Sequence, residues 1–192
     1  MQKKRLLSSL CLSPLLLFTA CIPKNFNING NYPSIYNDDT SYSASQSNQH
    51  QLRTIQGETI TIIENGNGFI FPQYRDKIVL LQIFGKTCEY CFEEIPIINQ
   101  IENHYAGKVK VIAIQGQDRM NPSEISTLTN QYQMNYPIIE GDDATNLLAF
   151  ISRTYNWTGV LPYMLLIKDG VTEFSFSAGT QYQEFQESID SL

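Results

Sequence analysis

The chain has 192 residues, 42% of them hydrophobic, and 13 Lys and Arg against 19 Asp and Glu give a formal net charge of −6. That length suits one domain with appendages. The acidic balance offers no Lys/Arg stripe to neutralise phosphates, which excludes a nucleic-acid partner, and only two histidines, His50 and His104, are present.

Lys3-Lys4-Arg5 is a basic n-region and Leu6 to Phe18 an interrupted apolar h-region, the pattern of a targeting segment. It closes on Phe18-Thr19-Ala20-Cys21, small residues ahead of a cysteine. This junction resembles the lipobox of bacterial lipoproteins. The resemblance implies a leader over residues 1–20, lipidation of Cys21 and membrane attachment through that lipid. The alternatives are an ordinary signal peptide or a signal anchor, although the apolar run is short beside the about 20 residues of a spanning helix. Cys11 leaves with such a leader, so Cys88 and Cys91 remain as the only pair, in a compartment where disulfides persist.

From Ile22 to about Gln51 the chain is rich in Asn, Ser, Tyr and Gln and lacks aliphatic periodicity, which reads as a tether over 21–51 ahead of a domain over 52–192. Glu58 to Ile63 is strand-like, and Asn65-Gly66-Asn67-Gly68 is a turn into a short strand, Phe69 to Phe71. Ile78 to Phe84 is an unbroken apolar run apart from Gln82, the pattern of a central strand buried on both faces.

Cys88-Glu89-Tyr90-Cys91 follows that strand and opens a segment in which Phe92, Ile95, Ile98 and Ile101 recur at helical spacing to about Tyr105, with Pro96 expected to kink it. A C-x-x-C at a strand-to-helix junction puts the first sulfur at the helix N-terminus, where free N–H groups and the dipole favour a thiolate. The second sulfur falls one turn in, within bonding reach. Such a pair makes and breaks disulfides.

Val109 to Ile114 is a second central strand. Asn121-Pro122-Ser123-Glu124 is an N-cap, a first-position proline and a first-turn acid for a helix reaching about Gln133. A short strand at Pro137 to Ile139 and a helix from Ala144 to Tyr155 follow. Tyr163 to Ile167 and Val171 to Phe176 flank the hairpin turn Asp169-Gly170, and Tyr182 to Ile189 is a closing amphipathic helix. The order predicts an α/β fold, a mixed central sheet with helices on both faces.

From about Glu58 to Leu192 the chain resembles the thioredoxin fold, and within it the TlpA/ResA-like thiol-disulfide oxidoreductases of the bacterial envelope. The resemblance rests on the strand before the cysteine pair, on Glu94 and Pro96 after it, on the helix–strand insertion after Ile114, and on Tyr155-Asn156-Trp157-Thr158-Gly159-Val160-Leu161-Pro162 ahead of Lys168-Asp169-Gly170. Thr87 stands where the family often has Trp. The likeness implies a cis peptide at Pro162, with Leu161 and Pro162 beside the cysteines and offering backbone to a substrate strand. It also implies exported protein substrates with disulfides, including apocytochromes c with C-x-x-C-H sites, and electrons from a membrane thiol carrier. The domain would face the periplasm.

Helix position makes Cys88 the attacking thiolate and Cys91 the resolving one. Glu94, three residues after Cys91, would accept its proton if burial raises its pKa, the role the resemblance gives it; otherwise it is a solvated first-turn acid. Glu89, Glu93 and Glu94 oppose a Cys88 thiolate, partly offset by Lys86, and so favour a reductase over an oxidase or isomerase. The pair itself stores the electrons, so no bound cofactor is expected. Two cysteines and His104 fall short of a zinc site. The spacing, and the lack of a later histidine, argue against a copper carrier. A peroxidase would use a lone cysteine. The remaining alternative is a lipoprotein binding module whose disulfide is structural, a bridge closing too short a loop to stabilise much.

Overall fold

A computed structural model of the protein describes residues 48–192; the leader, Cys21 and the tether up to residue 47 lie outside the described residues. In order come β1 (Gln49–Arg53), β2 (Thr59–Asn65), β3 (Gly68–Ile70), a single 3-10 turn (Pro72–Tyr74), β4 (Ile78–Phe84), α1 (Glu89–His104), β5 (Val109–Gln115), α2 (Pro122–Gln131), β6 (Ile138–Glu140), α3 (Thr145–Tyr155), β7 (Tyr163–Lys168), β8 (Val171–Ser177) and α4 (Tyr182–Asp190).

All seven residues of β4 are buried, as a strand at the centre of a sheet covered on both faces requires. Its side chains alternate between two cores. Ile78, Leu80 and Phe84 meet Ile95, Ile98 and Ile101 of α1 and Phe185 and Ile189 of α4. Val79, Leu81 and Ile83 meet Leu147 and Ile151 of α3 and Ile60, Ile62 and Phe69 of the first sheet. The five strands lie in the order β6-β5-β4-β7-β8. β4, β5 and β6 are parallel, whereas β7 runs antiparallel to β4 and β8 antiparallel to β7.

β1, β2 and β3 form a separate antiparallel sheet. Its β1–β2 link closes the β6 edge: Thr54 bridges Ile139, Ile55 N–H donates to the Ile138 carbonyl at 2.8 Å, and the Gln56 amide bonds both Tyr136 O and Ile138 N. At the other side Gly68 packs so tightly on Gly170 that a Cβ there would lie 2.2 Å from its carbonyl oxygen, which leaves glycine as the residue that fits.

Three expectations are corrected. Gln49 to Gln51 belong to the folded domain and not to the tether, because β1 pairs His50 with Ile62 and sets its imidazole 2.8 Å from the Glu64 carboxylate. α2 stops at Gln131, two residues early, since Gln133 turns to φ 57, outside helical space. The third strand is Gly68–Ile70, one residue before its predicted place. Pro96 lies inside α1, which continues through it.

Phe185 is fully buried and packs on Phe176 with ring centroids 4.5 Å apart. Phe185→Ala should therefore lower unfolding free energy by about 3–5 kcal/mol, read as a shift in the urea midpoint at constant slope.

Candidate active site

Only Gly85, Lys86 and Thr87 separate β4 from Cys88, so the sheet delivers the first cysteine directly to the start of α1. Cys88 is the N-cap, with extended backbone (φ −94, ψ 103), and its Sγ accepts a hydrogen bond from Cys91 N–H at 3.2 Å. Its carbonyl takes the N–H groups of Cys91 and Phe92 at 3.1 and 3.3 Å. The Cys88 and Cys91 sulfurs are bonded, with Cα atoms 5.2 Å apart. Cys91 is fully buried, whereas Cys88 is partly exposed. The less buried cysteine of the pair is therefore also the one at the positive end of the helix.

Glu94 shares a face of α1 with Cys91 and is only 3% exposed. Its Oε1 accepts the Gly179 N–H at 3.0 Å, and its Oε2 is buried without a partner. Burial pushes the carboxyl up to about 7; the Gly179 N–H opposes that rise, and the charge of Glu93 adds to it. The carboxyl thus exchanges a proton near neutrality in the core that holds Cys91. Glu89 and Glu93 are solvent-exposed.

The Lys86 ammonium is bound on the side of the inserted helix. It lies 3.2 Å from the Glu124 carboxylate and donates to the Arg119 carbonyl at 3.2 Å. Glu124 is also the capping-box acid of α2, accepting the Asn121 N–H at 2.7 Å. The cation therefore ties the loop before Cys88 to the inserted helix.

Gln115 and Gln117, which the sequence did not mark, hold the same loop. Thr87 donates through both N and Oγ1 to Gln117 Oε1, each at 3.0 Å. Gln117 N–H donates to the buried Gln115 side chain, which donates onward to the Asp118 carbonyl at 2.7 Å and to buried Glu140 at 3.4 Å. A Cβ at Gly85 would come within 2.6 Å of the Gln117 side chain. Thr87 and Gln117 also line an open cleft of about 460 Å³ with Lys86, Gly116, Asp118 and Asp142. Buried Gln82 accepts the Tyr136 hydroxyl at 3.3 Å and leaves its Nε2 unpartnered; a lone amide in an apolar strand was the available signal.

The second loop at this end of the sheet precedes β7. Tyr163 pairs with Ile83, so residues 160–162 lie beside the exit of β4. The Leu161–Pro162 peptide is cis, Pro162 is buried, and Leu161 packs on the core cluster that Cys88 also touches. Cys21 is outside the described residues, and among those residues no three His, Cys, Asp or Glu side chains converge to hold a metal.

No protein-family model matches the chain. Nor does the comparison with curated proteins find a match. Solved structures are similar in fold. StoA from Bacillus subtilis is 14% identical, with 74% of this chain and 96% of that one covered at a TM-score of 0.54. A secreted Mycobacterium tuberculosis disulfide oxidoreductase homologous to E. coli DsbE is 17% identical over 78% and 100%, at 0.54. The pneumococcal exposed lipoprotein thioredoxin from Streptococcus pneumoniae is 15% identical over 75% and 99%, at 0.55. The fold is the thioredoxin fold, with the helix–strand insertion α2–β6 after β5.

A carboxyl that binds its proton more tightly when folded stabilises the protein fully below its unfolded value of 4.5, and that contribution is lost as pH rises through about 7. The oxidised protein should therefore lose up to about 3 kcal/mol across that window relative to Glu94→Gln, measured by urea unfolding at each pH. Parallel profiles for the two proteins would put the Glu94 carboxyl in water.

Proposed function

We propose that the protein is a thiol-disulfide oxidoreductase of the bacterial cell envelope that reduces disulfides in exported proteins. The observation that carries this reading is partly exposed Cys88, whose sulfur caps α1 and accepts the Cys91 N–H while bonded to buried Cys91. Similar folds in a secreted oxidoreductase and an exposed lipoprotein thioredoxin support the setting. Attachment through a lipid on Cys21 is part of the same proposal.

In the reduced state the Cys88 thiolate attacks one sulfur of a substrate disulfide. A mixed disulfide forms, and the first substrate sulfur leaves as a thiolate. Cys91 passes its proton to Glu94 and attacks Cys88 Sγ, which breaks the mixed bond and expels the second substrate thiolate. The substrate has gained two electrons and the chain returns to the Cys88–Cys91 disulfide. A membrane thiol carrier restores the dithiol, so the reaction uses no organic cofactor. Leu161 and Pro162 supply the backbone edge along which the substrate lies, and apocytochromes c with C-x-x-C-H sites fit as substrates.

Local charge supports reduction as the direction. Glu89 and Glu93 oppose a Cys88 thiolate, and Lys86, two residues before Cys88, is paired with Glu124. A more basic Cys88 is a poorer leaving group, which stabilises the disulfide against the dithiol.

Equilibration with defined dithiol buffers should give a potential near or below roughly −270 mV. A value of roughly −120 to −180 mV would make the protein an oxidase or isomerase instead, and a pair that never equilibrates would make the disulfide structural. Cys88→Ser should abolish exchange, whereas Cys91→Ser should accumulate mixed disulfides through Cys88, visible as adducts on non-reducing gels.

A further inference from the structure

The path from α3 to β7 is braced by one side chain. Trp157, the single tryptophan of the chain, stacks on Tyr163 with ring centroids 6.0 Å apart and planes at 19°. Its indole N–H donates to the Val160 carbonyl at 2.7 Å. From behind, Ser152 Oγ on the last turns of α3 donates to the Trp157 carbonyl at 2.7 Å. Asn156 (φ 55) and Gly159 (φ 88) supply the two left-handed bends that let the chain fold over the ring. One indole thus links the first residue of β7 to the residue two before Pro162.

The brace fixes the backbone at Val160. The Val160 carbonyl is used internally, while its side chain is left 66% exposed. Leu161 makes no main-chain hydrogen bond among the described residues, so its N–H and C=O are without a partner there, and it packs on the same core cluster as Cys88. An extended chain can pair there only if both groups are held in one orientation. Without the indole N–H, the Val160 carbonyl is released and the peptide units on either side of it rotate.

We propose that Trp157 is a positioning residue for the substrate chain, acting through the Val160 carbonyl to present the Leu161 backbone beside Cys88. This rests on the reading of the protein as a disulfide reductase. It predicts an effect on polypeptide disulfides that small disulfides, which need no strand pairing, do not share.

Trp157→Phe keeps a ring against Tyr163 and removes only the donor. In single-turnover oxidation of the dithiol-reduced full chain, the half-saturating concentration of insulin should rise about five- to tenfold with the limiting rate held within about twofold. The preference for insulin over oxidised glutathione should fall by the same factor. Equal losses against both disulfides, or no change, would overturn the proposal. A wild-type chain that reduces neither would overturn the functional reading instead. Should Trp157→Phe not fold, Ser152→Ala at its exposed site loosens the same brace and should shift half-saturation about two- to threefold.

Discussion

The hydrogen bond from Cys91 N–H to Cys88 Sγ fixes where α1 begins, and the site depends on that point. β4 is buried on both faces and ends at Phe84, so three residues must turn the chain before the helix starts. Cys88 is thereby cap, loop end and half of the disulfide. One turn later Cys91 and Glu94 necessarily face the sheet, in the cluster of Ile95 and Ile98. A helix beginning one residue later would rotate both side chains by about 100° out of the core.

Burial then sets the two ends of the pair against each other. Cys88 keeps the helix dipole and solvent, with carboxylates on the same exposed turns; Cys91 is fully buried. Glu94 shares that burial, and one of its carboxylate oxygens has no partner there. The Gly179 N–H limits how far that carboxyl can be neutralised, so the β8–α4 loop participates in the tuning.

Much of this was legible in sequence wherever the signal was local. The extent of β4, the Asn121–Glu124 capping box, the Asp169-Gly170 turn and the cysteine spacing all rest on residues within a few positions of one another. β1 was not legible, since Gln-His-Gln-Leu-Arg carries one apolar residue and becomes a strand only through pairing with β2. The Thr87–Gln117 bonds and the Lys86–Glu124 pair span 30 and 38 positions, and nothing in either local stretch announces them. Glu94 is intermediate. Its spacing from Cys91 was plain, but its burial depended on how α4 and its preceding loop close over α1.

The closed β6 edge has a meaning for the company such a protein keeps. Partly unfolded polypeptides are rich in unpaired backbone and prone to add themselves to any bare strand. Thr54 to Gln56 occupy the three-residue edge of β6, and Thr172 of β8 is engaged by Asn67 and Tyr155. A foreign strand cannot pair with β6 while that link holds its edge. Blunting that edge thus guards against edge-to-edge association, achieved by a link whose sequence reads as mere connection.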